Sequence, residues 1–218
     1  SSDVCSSDLY FVLNDWVKDN GHWYFFDDYG YMVRDTSYYI DGKEYFFGSD
    51  GRLHKGWTKV IYQNSVEWIY SDSSGVIKKS SWIKDRGKWY YMDSRGVMVH
   101  NEVYNIFGKR YFFKSDGVMA TNGWATNGYD WFYASSSGSL YTNKWLKLNG
   151  CWYFFDMYGY MARGIAELNG QTYYFNENGV MKTGWIKELD GDGNAIWMYA
   201  DQSGYLLIGR ASCRERVS

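Results

Sequence analysis

Six tryptophan pairs recur along this 218-residue chain: Trp16/Trp23, Trp57/Trp68, Trp82/Trp89, Trp124/Trp131, Trp145/Trp152 and Trp185/Trp197. Each belongs to a dense ring cluster, as in "GKWYYMDSRGVMVHN" (87–101). Ring faces offer two chemistries. A quaternary ammonium has no N–H and escapes ordinary hydrogen bonding, but the ring quadrupole attracts it by about 0.5–2 kcal/mol per contact. Sugars stack their C–H faces on the same rings and need polar partners for their hydroxyls at the rim. The same rings are also the main material available for a core. Residue type alone does not separate these uses.

Other chemistries are poorly supported. His22, His54 and His100 stand at different places in their clusters and lack paired ligand spacing, which argues against a metal site. Cys151 replaces His22 and Lys88 of sister segments and reads as a tolerant surface position. "ELDGDGNA" (188–195) resembles part of a calcium loop, with Asp190, Asp192 and Asn194 alternating around Gly. No Glu follows at EF-hand spacing, so an enlarged hairpin turn is expected there. The remaining Asp residues recur at turn positions, where turn formation explains them better than paired-carboxylate catalysis. No catalytic residue, metal or cofactor is expected.

A net charge of −2 without a long run of one sign argues against nucleic-acid binding. No apolar run approaches the roughly 20 residues of a membrane helix. An aromatic content of 22% is unlike a disordered chain.

The ends differ from the rest. "SSDVCSSDL" (1–9) and "IGRASCRERV" (208–217) both read as translated sequencing-adapter DNA, so 1–9 and 208–218 are expected to be artefacts. Setting them aside removes Cys5 and Cys213, leaving Cys151 and no internal disulfide. A signal peptide or catalytic domain would then lie outside this fragment.

The elements that position the rings follow from a repeat. A glycine closes each cluster: Gly30, Gly51, Gly75, Gly96, Gly117, Gly138, Gly159, Gly179 and Gly204. Asn20-Gly21, Asp41-Gly42, Asn149-Gly150 and Asn169-Gly170 precede clusters and supply the positive φ angles of tight hairpin turns. Trp, Tyr and Phe favour half-buried strands. Each repeat therefore reads as a β-hairpin plus a connector, about 10–34, 35–55, 56–79, 80–100, 101–120, 121–141, 142–163, 164–183 and 184–207. The second residue after each glycine is apolar (Met32, Leu53, Ile77, Met98, Met119, Leu140, Met161, Met181, Leu206) and reads as an internal seam. A lone hairpin is marginal, whereas stacked hairpins bury a continuous core. The expected fold is all-β, an elongated β-hairpin solenoid.

A higher period overlies this one. Repeats one, four and seven carry both Trp. Repeats two, five and eight carry Ser37/Glu44, Val103/Arg110 and Ile165/Thr172 instead. Repeats three, six and nine regain both Trp and place Ser71, Ala134 or Ala200 fourth in the cluster. This A-B-C order, three times over, suggests three hairpins per turn. Along one strand, alternation puts Trp89 and Tyr91 on one face and Tyr90 and Met92 on the other. One set closes the solenoid and the other meets the neighbouring hairpin.

"GKWYYMDSRGVMVHNE" and "NGQTYYFNENGVMKTGWIK" resemble the cell-wall-binding repeats of Gram-positive surface proteins, including choline-binding modules of lysins. They are also similar to glucan-binding repeats of glucosyltransferases and to clostridial toxin C-terminal repeats. The resemblance covers 10–207. It implies a left-handed β-solenoid with about three hairpins per turn. It also implies ligand cages between hairpins, formed by two Trp of one repeat and an aromatic of the next, often with a Met nearby.

Carried over residue by residue, the resemblance implies cages of Trp16, Trp23, Tyr45; Trp57, Trp68, Tyr90; Trp82, Trp89, Tyr111; Trp124, Trp131, Tyr153; and Trp145, Trp152, Tyr173. If the third wall is instead the Trp column, the complete sets are Trp57, Trp68, Trp89 and Trp124, Trp131, Trp152. The implied function is a non-catalytic module that attaches a secreted protein to the bacterial surface. Its partner would be choline-containing teichoic acid or an extracellular polysaccharide. The alternatives are a glucan- or host-glycan-binding array and the targeting arm of a cell-wall hydrolase.

Overall fold

The computed structural model describes residues 11–189 and 191–207. The adapter-like ends and Asp190 of the calcium-loop reading lie outside the described residues. The described chain is all-β, with nine two-stranded antiparallel hairpins. They are β1 (Asp15–Asp19) with β2 (His22–Phe26), β3 (Thr36–Ile40) with β4 (Lys43–Phe47), β5 (Gly56–Tyr62) with β6 (Ser65–Ser71), and β7 (Ser81–Asp85) with β8 (Lys88–Met92). There follow β9 (Glu102–Ile106) with β10 (Lys109–Phe113), β11 (Gly123–Thr126) with β12 (Trp131–Ala134), and β13 (Lys144–Leu148) with β14 (Cys151–Phe155). The last two are β15 (Gly164–Leu168) with β16 (Gln171–Phe175) and β17 (Gly184–Leu189) with β18 (Ala195–Ala200). The chain divides into two compact units, one ending at His100 and one beginning at Asn101.

Turn chemistry explains the hairpins. Asn20 and Gly21 take φ of 47° and 83°, the paired positive angles of a tight hairpin turn. Asn149-Gly150 and Asn169-Gly170 repeat this geometry, and so do Arg86-Gly87 and Phe107-Gly108, without the Asn. After five of the nine hairpins a carboxylate organises the next turn, whereas Asn176 takes that place after the eighth. Asp27 Oδ1 accepts from the backbone N–H groups of Tyr29 and Tyr31 at 2.9 and 2.8 Å. Asp72, Asp93, Asp156 and Asp201 do the same in their own repeats. These carboxylates hold backbone.

Within each unit, consecutive repeats are stitched by backbone. The seam residue donates its N–H to the carbonyl of the cluster residue one repeat back: Leu53 to Trp23, Ile77 to Glu44 and Met98 to Trp68 in the N-terminal unit, at 2.8 Å each. Leu140 to Arg110, Met161 to Trp131, Met181 to Trp152 and Leu206 to Thr172 repeat it in the C-terminal unit. Seam side chains pack beneath the next turn. A Cβ on Gly51, whose φ is +77°, would meet Met32 Sδ at 2.6 Å. Glycine suits that φ, and a larger residue would also have to displace the Met32 side chain.

In each unit the fourth cluster position is core: Phe47, Ser71 and Met92 are buried in the N-terminal unit, and Phe113, Ala134, Phe155, Phe175 and Ala200 in the C-terminal unit. The two strand faces now separate. On β7–β8, Ile83, Tyr90 and Met92 pack back on Trp57, Trp68 and Tyr70 of the preceding repeat. Trp82, Lys84, Trp89 and Tyr91 occupy the other face.

Candidate binding site

The register builds the ring pairs. Each opening Trp stands opposite the third cluster residue, as Trp16 does opposite Phe25. The cluster Trp lies two residues earlier on the same face, a diagonal neighbour within reach of a large ring. The resulting pairs are nearly perpendicular. Trp16–Trp23 centroids lie 6.2 Å apart at 89°, Trp57–Trp68 6.3 Å at 88°, Trp124–Trp131 6.1 Å at 85° and Trp145–Trp152 6.2 Å at 89°.

A tyrosine of the next repeat joins each pair. Tyr45 lies 5.1 Å from Trp16, Tyr90 4.9 Å from Trp57, Tyr153 5.0 Å from Trp124 and Tyr173 5.0 Å from Trp145. Four of the five three-ring groups carried over from the sequence are thus assembled within a unit. In the fifth, Trp82 and Trp89 pair at 6.1 Å in the N-terminal unit, while Tyr111 belongs to the C-terminal unit. Among the described residues, no ring contact joins Trp89 to Trp57 or Trp68, or Trp152 to Trp124 or Trp131. Trp89 contacts Trp82, and Trp152 contacts Trp145, each within its own hairpin. The reason is the face: Trp89 lies opposite Lys84 and beside Trp82, while Tyr90 points back to Trp57.

Trp57 is held further by its indole N–H, which donates to Asp85 Oδ2 at 3.2 Å. Burial pushes the phenols of Tyr153 and Tyr173 up, so both walls stay neutral at physiological pH.

Two groups enclose open cavities. Trp124, Trp131 and Tyr153 line about 300 Å³ with Met161, Glu177 and Asn178. Trp145, Trp152 and Tyr173 line about 690 Å³, with Cys151, Met181, Lys182, Thr183, Gln202 and Ser203 among the other walls. Sequence reasoning missed this rim. Met161 and Met181 are seam residues of the next repeat, and the pattern of seam positions could have named them. Glu177, Asn178, Gln202 and Ser203 come from turns two repeats on, beyond a reading confined to adjacent repeats. Cys151, read as a tolerant surface position, instead lines a cavity and is half-buried.

The second repeat lacks rings at the Trp positions and carries polar residues there. Glu44 accepts from Lys79 Nζ at 2.5 Å and from the Tyr39 hydroxyl at 3.0 Å. Burial pushes the Glu44 carboxyl up, but hydrogen bonds from Lys79, Ser37 and Tyr39 outweigh it and leave it below the usual carboxylate range. Ser37 and Glu44 line a cavity of about 500 Å³ with Lys59, Ile69 and Arg95.

Comparison with known proteins adds to this geometry. Residues 79–124 and 162–210 match the choline-binding repeat family, and residues 14–32 and 143–161 match the cell wall binding repeat family. No curated protein matches the chain by sequence. Among solved structures, the modular autolysin LytC from Streptococcus pneumoniae is 28% identical, with a TM-score of 0.58 over 89% of this chain and 42% of that one. LytC has also been solved in complex with a synthetic peptidoglycan ligand. Choline binding protein F from Streptococcus pneumoniae, solved with a peptidoglycan analogue, is 29% identical with a TM-score of 0.51, covering 85% of this chain and 69% of that one. The chain thus spans less than half the length of LytC.

Proposed function

Since residues 14–32, 79–124, 143–161 and 162–210 match choline-binding and cell wall binding repeats, we propose that the chain is a non-catalytic module that attaches a larger secreted protein to a bacterial envelope polymer. The ligand is choline carried on teichoic acid, held in the three-ring cages of Trp16/Trp23/Tyr45, Trp57/Trp68/Tyr90, Trp124/Trp131/Tyr153 and Trp145/Trp152/Tyr173.

The observation that carries this reading is the recurrence of one geometry: two perpendicular indoles with a tyrosine about 5 Å from the first. Three neutral ring faces stabilise a trimethylammonium group, which offers no hydrogen to a polar site. The thioethers of Met161 and Met181 supply polarizable contact in the two cavities. A second reading, the targeting arm of a cell-wall hydrolase, is favoured by the likeness to an autolysin more than twice as long as the matched part. It is compatible with the first and concerns the parent protein.

The test is retention on an immobilised quaternary amine with elution by free choline. Binding to α-glucan without retention on the amine moves the assignment to a glycan. Failure on both, with Trp57→Ala and Trp124→Ala leaving attachment to cells intact, removes the binding role.

A further inference from the structure

The cages are not equivalent in charge. In β1–β2, β5–β6, β7–β8, β13–β14 and β17–β18, a lysine stands directly across from the cluster Trp. Its ammonium lies over that ring: Lys18 at 5.6 Å from the Trp23 centroid, Lys59 at 5.2 Å from Trp68, Lys84 at 5.4 Å from Trp89, Lys147 at 5.3 Å from Trp152 and Lys187 at 5.7 Å from Trp197. Each of these indoles already faces a cation of the protein. In β11–β12 the residue across from Trp131 is Thr126.

The same cage differs at its mouth. Glu177, exposed and two residues before Gly179, lines the cavity of Trp124, Trp131 and Tyr153. The matching place before Gly204 is Gln202, which lines the cavity of Trp145, Trp152 and Tyr173 together with Lys182. One cavity therefore gains a carboxylate and lacks the lysine. The other has a neutral amide with two lysines at or beside it.

Resting on the reading of these groups as quaternary-ammonium cages, we propose that Trp124/Trp131/Tyr153 is the cation-selective cage of the C-terminal unit, with Glu177 and Thr126 as the residues that set its preference. Glu177 adds Coulomb attraction for a cation and nothing for a neutral isostere of the same shape. Thr126 leaves the outer Trp131 face without an ammonium that would repel an incoming one. The Trp145 cavity, with more polar walls, discriminates less by charge.

The probes are choline and 3,3-dimethyl-1-butanol, which replaces the charged nitrogen by carbon. Binding is followed at low salt through the indole N–H resonances of Trp124 and Trp145, assigned with Trp124→Phe and Trp145→Phe. Glu177→Gln and Thr126→Lys are each expected to weaken choline at the Trp124 cage by about two- to five-fold, the range of an exposed charge pair. The neutral probe should be unaffected. The Glu177 effect should shrink in about 1 M salt, where screening acts within roughly 3 Å. Gln202→Glu should tighten choline at the Trp145 cage to a similar extent. Equal choline binding in wild type and Glu177→Gln overturns the proposal, as does an equal loss of both probes. If choline shifts neither indole in the wild type, the reading of the cages as ammonium sites falls as well.

Discussion

At the residue scale, what distinguishes one repeat from another is a handful of substitutions at fixed positions. Ser71 holds the core place occupied by Ala134 and Ala200 in the two sister repeats. Its hydroxyl is buried and makes no hydrogen bond. An unpaired buried hydroxyl costs about 1–3 kcal/mol of desolvation that alanine does not incur. Ser71→Ala should therefore stabilise the fold by about 1 kcal/mol, read as a raised denaturant midpoint with an unchanged slope. A lowered midpoint would mean that the hydroxyl has a partner, such as a trapped water. The sequence already marked this position as small in every third repeat. It could not say that the place is the axis of the core, because a small residue at a surface contact would leave the same pattern. Burial of Phe47, Met92 and Phe155 in the same column decides it.

At the element scale, the hairpins were legible because their turn chemistry is local. The Asn-Gly pairs at 20–21, 149–150 and 169–170 take the positive φ angles of tight turns, and the ring clusters beside them fall on strands. Face assignment was less legible. Alternation separates Trp89 from Tyr90 but does not say which side meets the earlier repeat. That depends on Ile83 and Met92, which pack on Trp57 and Trp68 and carry Tyr90 with them. The rings of the Trp-column alternative are not brought into contact for this reason. Turn chemistry also exposes a weak element. Phe107 takes φ 49° while 94% exposed, at the place held by Asn20, Asn149 and Asn169 in other hairpins. A left-handed conformation costs an ordinary L-residue about 1–2 kcal/mol, and asparagine tolerates it better. Phe107→Asn should stabilise the C-terminal unit by about 1 kcal/mol in denaturant unfolding. No change would show that the β9–β10 turn is already relaxed around the ring.

At the scale of the whole molecule, repetition turns weak sites into strong attachment. A cage of three rings has modest strength for a single ammonium, since each cation–π contact contributes about 0.5–2 kcal/mol. On the proposed reading, several cages on one chain would meet a polymer with many such groups, and every engagement after the first would be intramolecular, so avidity would exceed single-site affinity by about 10²–10⁴. The A-B-C order bears on this. It removes the Trp pair from every third repeat, and at the second repeat it fills the vacated place with the Glu44–Lys79 ion pair. Trp57→Ala combined with Trp124→Ala removes one wall from a cage in each unit. Calorimetric titration with free choline should lose those two sites and leave the constants of the remaining ones unchanged. Attachment to a choline-bearing polymer should fall far more steeply, by about ten-fold or more, because avidity multiplies over sites whereas stoichiometry adds. If polymer binding falls only in proportion to the sites lost, the cages act one at a time, and nine repeats hold no more firmly than the best of them.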